Sequence, residues 1–166
     1  MPNLTPTRKI RPLSLRPRLL AAVSFVRPGD RVLDIGTDHA RLPVYLAEQK
    51  LCASVTATEH AEGPYLRALR TIRAHRLEDQ IALLLRDGAE GLNAEEYDTV
   101  TVTGMGADTI LSILAKSPWL WSKRLILQPQ THVARFAGMT GRESSQETAV
   151  SEGRRQYTIF LFEGAI

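Results

Sequence analysis

The chain has 166 residues, of which 43% are hydrophobic and 23% charged, with a formal net charge of +3 at pH 7. These values fit one globular domain with its own core. So small a net charge does not by itself indicate a nucleic-acid-binding protein. No stretch approaches the roughly 18 uninterrupted apolar residues of a membrane span. The single Cys52 excludes an internal disulfide and favours the cytoplasm.

Residues 1–13 contain three prolines and several basic residues, which predicts a flexible or extended basic arm. Residues 14–166 are predicted to form a single domain. Its first element is a helix that Ser14 caps and that runs to about Phe25, with Pro17 tolerated in the first turn.

From Arg31 onward, short apolar runs alternate with helical patterns. The predicted strands are RVLDIG, SVTATE, IALLLRDG, TVTVTG and RLILQP. The helices between them are ARLPVYLAEQ, GPYLRALRTIRAH and GADTILSILAK. This alternation predicts a doubly wound α/β fold with a mostly parallel sheet. SQETAV and RQYTIFLFE, joined by a short turn, predict an antiparallel C-terminal hairpin, which favours a seven-stranded methyltransferase sheet over a nicotinamide-binding Rossmann domain.

The motif DIGTDHARLP follows the first strand, where a dinucleotide-binding loop would carry further glycines. Asp38 takes the place of the second glycine and would repel a phosphate, which makes NAD or FAD a poor ligand. S-adenosylmethionine carries a positive sulfonium and no phosphate. The loop that contains Gly36 and Thr37 is therefore a candidate site for a cofactor of this kind.

Two further acidic positions follow strands. Glu59 ends the second strand about twenty residues after the glycine loop, where an acidic side chain binds ribose hydroxyls. Alternatively, Glu59 caps the next helix together with Glu62. Asp87 and Gly88 are placed at the adenine edge, or else form an ordinary turn. His60, beside Glu59, is assigned to the same cofactor site.

The fourth and fifth strands end in motifs that suit an acceptor pocket. Gly104, Met105 and Gly106 leave the backbone open to a flat substrate, and Gln128 and Pro129 follow on the next strand. His39 is an orienting or capping group beside Asp38. The four histidines are dispersed, so no metal site is predicted.

Basic residues cluster in the N-terminal arm and on the second predicted helix. Arg67, Arg70 and Arg73 recur every three residues and form a positive stripe suited to an RNA backbone. The alternative is a solvated helix face.

Taken together, DIGTDHARLP, EHAEGP, RDGAEGL, TGMG and RLILQP resemble the bacterial tRNA adenine-N1 methyltransferases that modify adenine 22, over about residues 14–163. The resemblance implies a Rossmann-like class I methyltransferase domain over residues 14–166, S-adenosylmethionine as cofactor and tRNA as partner. Asp38 would be the catalytic acid. Asp34, Gly36, Glu59 and Asp87 would hold the cofactor, and the glycine motif with Gln128 and Pro129 would line the acceptor pocket.

The sequence differs from that family in two places. Family members continue into a C-terminal helical extension that this sequence lacks, and the segment THVARFAGMTGRESS contains two glycines where a firm helix is expected. Two alternatives to tRNA modification therefore stay open: another RNA or small-molecule acceptor, and a non-catalytic cofactor- or RNA-binding module. A monomer is the expected state.

Overall fold

The computed structural model describes residues 9–164. Residues 1–8, which make up most of the predicted basic arm, lie outside the described residues, whereas residues 9–16 have no regular secondary structure. The strands are β1 Arg31–Ile35, β2 Ser54–Glu59, β3 Ile81–Leu85, β4 Thr99–Met105, β5 Arg124–Pro129, β6 Gln146–Glu152 and β7 Arg155–Phe162. The helices are α1 Pro17–Val23, α2 Arg41–Glu48, α3 Glu62–Ala74, α4 Ala107–Lys116 and α5 Phe136–Thr140.

Seven strands form one sheet in the order β3-β2-β1-β4-β5-β7-β6. β1 to β5 pair in parallel, while β7 is antiparallel to both β5 and β6. β1 and β5 are buried almost throughout, and β4 over its first four residues, because helices cover both faces of the sheet. The predicted doubly wound sheet with its antiparallel hairpin is thereby confirmed.

Two hydrophobic clusters stabilise the faces of the sheet. One joins α1, α2 and α3 to the sheet through residues such as Val32, Leu46 and Ile72. The other joins α4 to β4, β5 and β7 and includes Ile110 and Phe160. The two clusters hold the strand ends in fixed register, so the loops that follow the strands meet along one edge.

The first helix begins later than predicted. Pro17 is its first residue and Arg16 is its N-cap, with an extended backbone (ψ 159°) and no side-chain cap. The residue before a proline is kept out of the helical region, so Ser14 cannot start this helix. The carbonyl of Ser14 instead accepts a hydrogen bond from Arg41.

The segment after β5 also differs from the sequence-based expectation. It contains a short 3₁₀ turn at Val133–Arg135 and then α5, whose C-cap is Gly141 with a φ of +68°. The fully buried Phe136 packs against Phe160 and anchors α5 to the core. One buried aromatic therefore gives this glycine-containing segment a defined place.

Candidate active site

A cleft runs along the carboxyl ends of β1, β2, β3 and β4. It consists of two adjoining cavities of about 640 and 570 Å³, which share Gly36, His60 and Met105 as lining residues. The larger cavity also contains Asp34, Asp38 and other predicted residues, and the smaller one contains Asp87, Gly88 and Gly106. The motifs at the ends of these four strands are thus brought together, as expected for ligand sites in open α/β sheets.

The loop after β1 keeps a glycine-like backbone without the second glycine. Gly36 has a φ of +68°, and Asp38 has a φ of +52°. Aspartate is among the few residues that adopt this left-handed region with little strain. Position 38 therefore adds a carboxylate to the cleft while the chain still makes the tight turn.

The Asp38 carboxylate is 58% exposed and faces two basic side chains. Arg67 Nη2 donates a hydrogen bond to Asp38 Oδ1 at 3.1 Å, and His39 Nε2 lies 3.7 Å from Asp38 Oδ2. Arg67 thus pairs with a residue of the cleft and differs in this from the other arginines of the predicted stripe. Arg70 and Arg73 are exposed farther along α3.

Glu59 is buried at the end of β2 and lines the larger cavity. Its carboxylate accepts a hydrogen bond from the backbone N–H of Asp38. The alternative interpretation of Glu59 as a helix cap is wrong, because the N-cap of α3 is Ala61 and no side chain caps it. Glu59 instead fixes the loop that carries Asp38.

Asp34 lies at the centre of the cleft floor and is 3% exposed. Thr101 Oγ1 on the neighbouring β4 donates to Asp34 Oδ1 at 2.6 Å. Burial raises the pKa of Asp34 from its ordinary value of 3.8 to about 6, against the opposing effect of the Thr101 hydrogen bond. The site thus keeps a carboxylate in a place that disfavours its charge, which is typical of functional positions.

Asp34→Asn should make the ligand-free protein more stable at neutral pH. The raised pKa means that the folded protein binds the proton of Asp34 more tightly than the unfolded chain does. The contribution of this protonated carboxyl group to the free energy of unfolding is therefore complete below pH 4 and is lost as the pH rises through about 6. At pH 7 the free energy of unfolding of the variant should exceed that of the unaltered protein by up to about 3 kcal/mol, and this difference should be smallest at pH 4. Urea denaturation at both pH values tests this, with the exposed Asp79→Asn as the matched control. A gain independent of pH would contradict it.

Asp87 and Gly88 lie at the far end of the cleft. The Asp87 carboxylate is half exposed and pairs with Lys116 Nζ at 2.6 Å, while Thr58 Oγ1 donates to the Gly88 carbonyl at 3.0 Å. Gly88 has a φ of +57°, so the Asp-Gly turn does exist. It also lines the smaller cavity, and the two interpretations of this motif are compatible.

The acceptor side is built differently from the prediction. Gly104 is exposed with a φ of +79° and lines the larger cavity. Gln128 and Pro129, however, are buried and line neither cavity. Gln128 Oε1 accepts from Gly104 N at 3.0 Å and from Arg18 Nη1 at 2.8 Å, and its Nε2 donates to the Pro129 carbonyl. The amide therefore supports the pocket from beneath.

Several lining residues were not identified from the sequence. Besides the predicted positions, the larger cavity is lined by Arg16, Arg18, Arg41, Thr103, Gln130 and Glu152. Arg18, Arg41 and Glu152 come from α1, α2 and β6, while Thr103 belongs to β4, and Arg16 and Gln130 lie in loops. The packing of α1 on the hairpin brings Arg18 and Glu152 together at the cleft.

Within residues 9–164, no three histidine, cysteine, aspartate or glutamate side chains are grouped so as to hold a metal ion. Over the same part of the chain, no helix has the length and hydropathy needed to cross a bilayer.

The strand order, the reversed β7 and the cleft over β1, β2 and β4 define a Rossmann-like methyltransferase domain of class I. Comparison with known proteins supports this class of domain. The model of the methyltransferase domain family matches residues 15–160, so the chain belongs to that family.

Its relatives confirm the resemblance drawn from the sequence. The tRNA (adenine(22)-N(1))-methyltransferase of Bacillus subtilis is 31% identical over 156 residues, which make up 91% of this chain and 66% of the relative. The crystal structure of the B. subtilis m1A22 tRNA methyltransferase TrmK superposes with a TM-score of 0.82 at 30% identity, over 92% of this chain and 68% of that one. The structure of Streptococcus pneumoniae Sp1610 in complex with S-adenosyl-L-methionine superposes with a TM-score of 0.80 at 31% identity. The match covers 90% of this chain and 73% of that one. The chain spans about two thirds of these relatives.

Proposed function

We propose that this protein transfers a methyl group from S-adenosylmethionine to N1 of an adenine in tRNA, at position 22. The observation that carries the proposal is the position of Asp38. It lies in one cavity with the cofactor loop at Gly36 and the acceptor segment at Gly104 and Met105. The B. subtilis relative named for the same reaction supports the choice of substrate. The cytoplasm, where tRNA is modified, is the expected compartment.

The residues of the cleft fit this cofactor. Two adjoining cavities offer an elongated site, and Gly36, with the Met105 side chain packed against it, lines both of them. Glu59 is placed to accept hydrogen bonds from ribose hydroxyls, His60 lies beside both cavities, and Asp87 and Gly88 face the adenine end. Asp34 supplies an acidic group for the amino-acid end. When bound, the cofactor supplies an electrophilic methyl group on a sulfonium.

The chain's own task is mainly positioning. Neutral adenine N1 carries a free lone pair, so no general base has to act before the attack. Positive charge then spreads over the adenine ring, and a fixed carboxylate close to it lowers the barrier. Asp38 Oδ2 is available for this role or to accept a hydrogen bond from the exocyclic amine, because Arg67 holds the other oxygen.

Activity should appear as 1-methyladenosine. Purified protein is incubated with S-adenosylmethionine and unmodified tRNA, and the digested nucleosides are identified by mass spectrometry. A tRNA transcript with guanine at position 22 is the matched control. Methylation of both transcripts would contradict the position, and methylation of neither would contradict the acceptor. Binding of S-adenosylhomocysteine without methylation would favour another acceptor or a non-catalytic module.

Removal of two exposed arginines should weaken the salt dependence of tRNA binding. Arg70→Gln with Arg73→Gln removes two positive charges from α3, so the slope of log K against log salt should become shallower by up to about 2. Arg67 is left intact because it pairs with Asp38. The control, Arg27→Gln with Lys50→Gln, removes the same charge at exposed positions that precede β1 and β2, on the opposite edge of the sheet. Equal slopes in the two double variants would show that α3 is only a solvated face.

A further inference from the structure

The two cavities of the cleft meet at a neck formed by the residues that line both of them, Gly36, His60 and Met105. Gly36 and His60 directly follow β1 and β2, and Met105 ends β4. Because β1 lies between β2 and β4 in the sheet, Gly36 is at the centre of the neck and the other two residues flank it. A ligand that occupies both cavities has to cross this neck.

The side chain of Met105 lies over the centre of the neck. Its Cε methyl group packs directly on the backbone of Gly36, so that a Cβ atom added to Gly36 would overlap the methyl group and lie 3.6 Å from the sulfur. The Met105 side chain is half-buried in this position. It therefore closes the neck between the two cavities.

The backbone of Met105 is held in place. Gly104, the residue before it, has a φ of +79°, and the pairing of β4 with β5 shifts its register between Thr103 and Met105. Irregularities of this kind in a strand redirect a side chain next to a functional site. The Met105 carbonyl then accepts a hydrogen bond from the backbone N–H of Gln130 at 2.8 Å. A change at the neck is thus left to the side chain.

Methionine suits a movable position. Its side chain is unbranched, has three rotatable bonds and adapts to spaces of irregular shape. We propose that Met105 is a gate over Gly36. The gate swings aside for a ligand that extends through both cavities, such as an S-adenosyl compound, and stays in place for a ligand that fills only the smaller one. This inference rests on the cofactor named in the proposed function.

The few methionines of the chain allow the gate to be observed directly by NMR. Met1, Met105 and Met139 are its only methionines, and Met105→Leu identifies the ε-methyl signal of the gate. The nuclear Overhauser effect between this methyl group and the α-protons of Gly36 should be present in the free protein. It should persist with adenine, which fits the smaller cavity alone, and vanish with saturating S-adenosylhomocysteine. The exposed Met139 on α5 is the internal control, and its signal should not shift.

Met105→Ala tests what the gate does to affinity. The variant lacks the group that a long ligand displaces, so the fraction of protein ready to bind S-adenosylhomocysteine should rise. Its affinity for this ligand should increase by about three- to tenfold, with faster association, and its affinity for adenine should stay within about twofold. Met139→Ala is the matched control, and a thermal melt shows that both variants are folded.

Three results would overturn the gate. Weaker binding of S-adenosylhomocysteine by the folded Met105→Ala variant would make Met105 a direct contact of the ligand. Absence of the Gly36 contact in the free protein would show that the neck is open. Binding of S-adenosylhomocysteine that leaves this contact intact would show that the side chain does not move. If the unaltered protein does not bind S-adenosylhomocysteine at all, the proposed cofactor fails and the gate with it, which is distinct from a failure of the gate alone.

Discussion

Asp38→Asn should lower methyl transfer to tRNA by about 100-fold or more and leave the affinity for S-adenosylhomocysteine within about threefold. Asparagine tolerates the left-handed backbone of position 38, where φ is +52°, so the loop should keep its shape. What is lost is the negative charge that faces the developing positive charge on adenine. Single-turnover rates with saturating tRNA measure the chemical step directly.

The control for this variant is Arg67→Gln. It removes the ion pair at 3.1 Å but leaves the Asp38 carboxylate in place, so its effect on the rate should be much smaller. If both variants slow the reaction equally, the carboxylate acts only through its pairing with Arg67. A normal single-turnover rate for Asp38→Asn would remove Asp38 from the mechanism.

The second large effect is expected at Glu59. Glu59→Ala should lower the affinity for S-adenosylhomocysteine by about 10- to 100-fold, because hydrogen bonds to a charged group contribute roughly 1.5–3 kcal/mol. The buried carboxylate also accepts from the Asp38 N–H, so the loop should become more mobile. Titration calorimetry measures the affinity.

Glu59→Gln separates the two roles of this side chain. Its amide oxygen can still accept from the Asp38 N–H, but the charge is gone, so its affinity for the ligand should lie between that of the alanine variant and that of the unaltered protein. An affinity unchanged in Glu59→Ala would refute the ribose role. Full recovery in Glu59→Gln would show that loop geometry, rather than charge, is what the site requires.

The sequence predicted the sheet well because the strands are buried on both faces. Short runs of β-branched and apolar residues such as TVTVTG favour a buried strand, and the motifs that follow such strands meet at one edge of a parallel sheet. For this reason the sequence alone was enough to predict one cleft that contains Asp34, Gly36, Asp38 and Glu59.

What the sequence did not predict depends on side chains far apart in the chain. The Arg67–Asp38 pair joins residues 29 positions apart, and the Arg18–Gln128 hydrogen bond joins residues 110 apart. Nothing in either local segment signals its partner. Gln128 was predicted to line the pocket because it ends a strand, yet its neighbours satisfy its amide and bury it.

The position of β7 affects how the protein is completed during synthesis. β7 lies between β5 and the edge strand β6, although it follows both of them along residues 9–164. Until the ribosome has made it, one side of β5 has unpaired backbone groups, which are a hazard for aggregation. Tyr157, which lies against Arg18, comes from the same strand. The second neighbour of β5, whose Gln128 supports Gly104, is therefore added only after the cofactor loop at Gly36 has been synthesised.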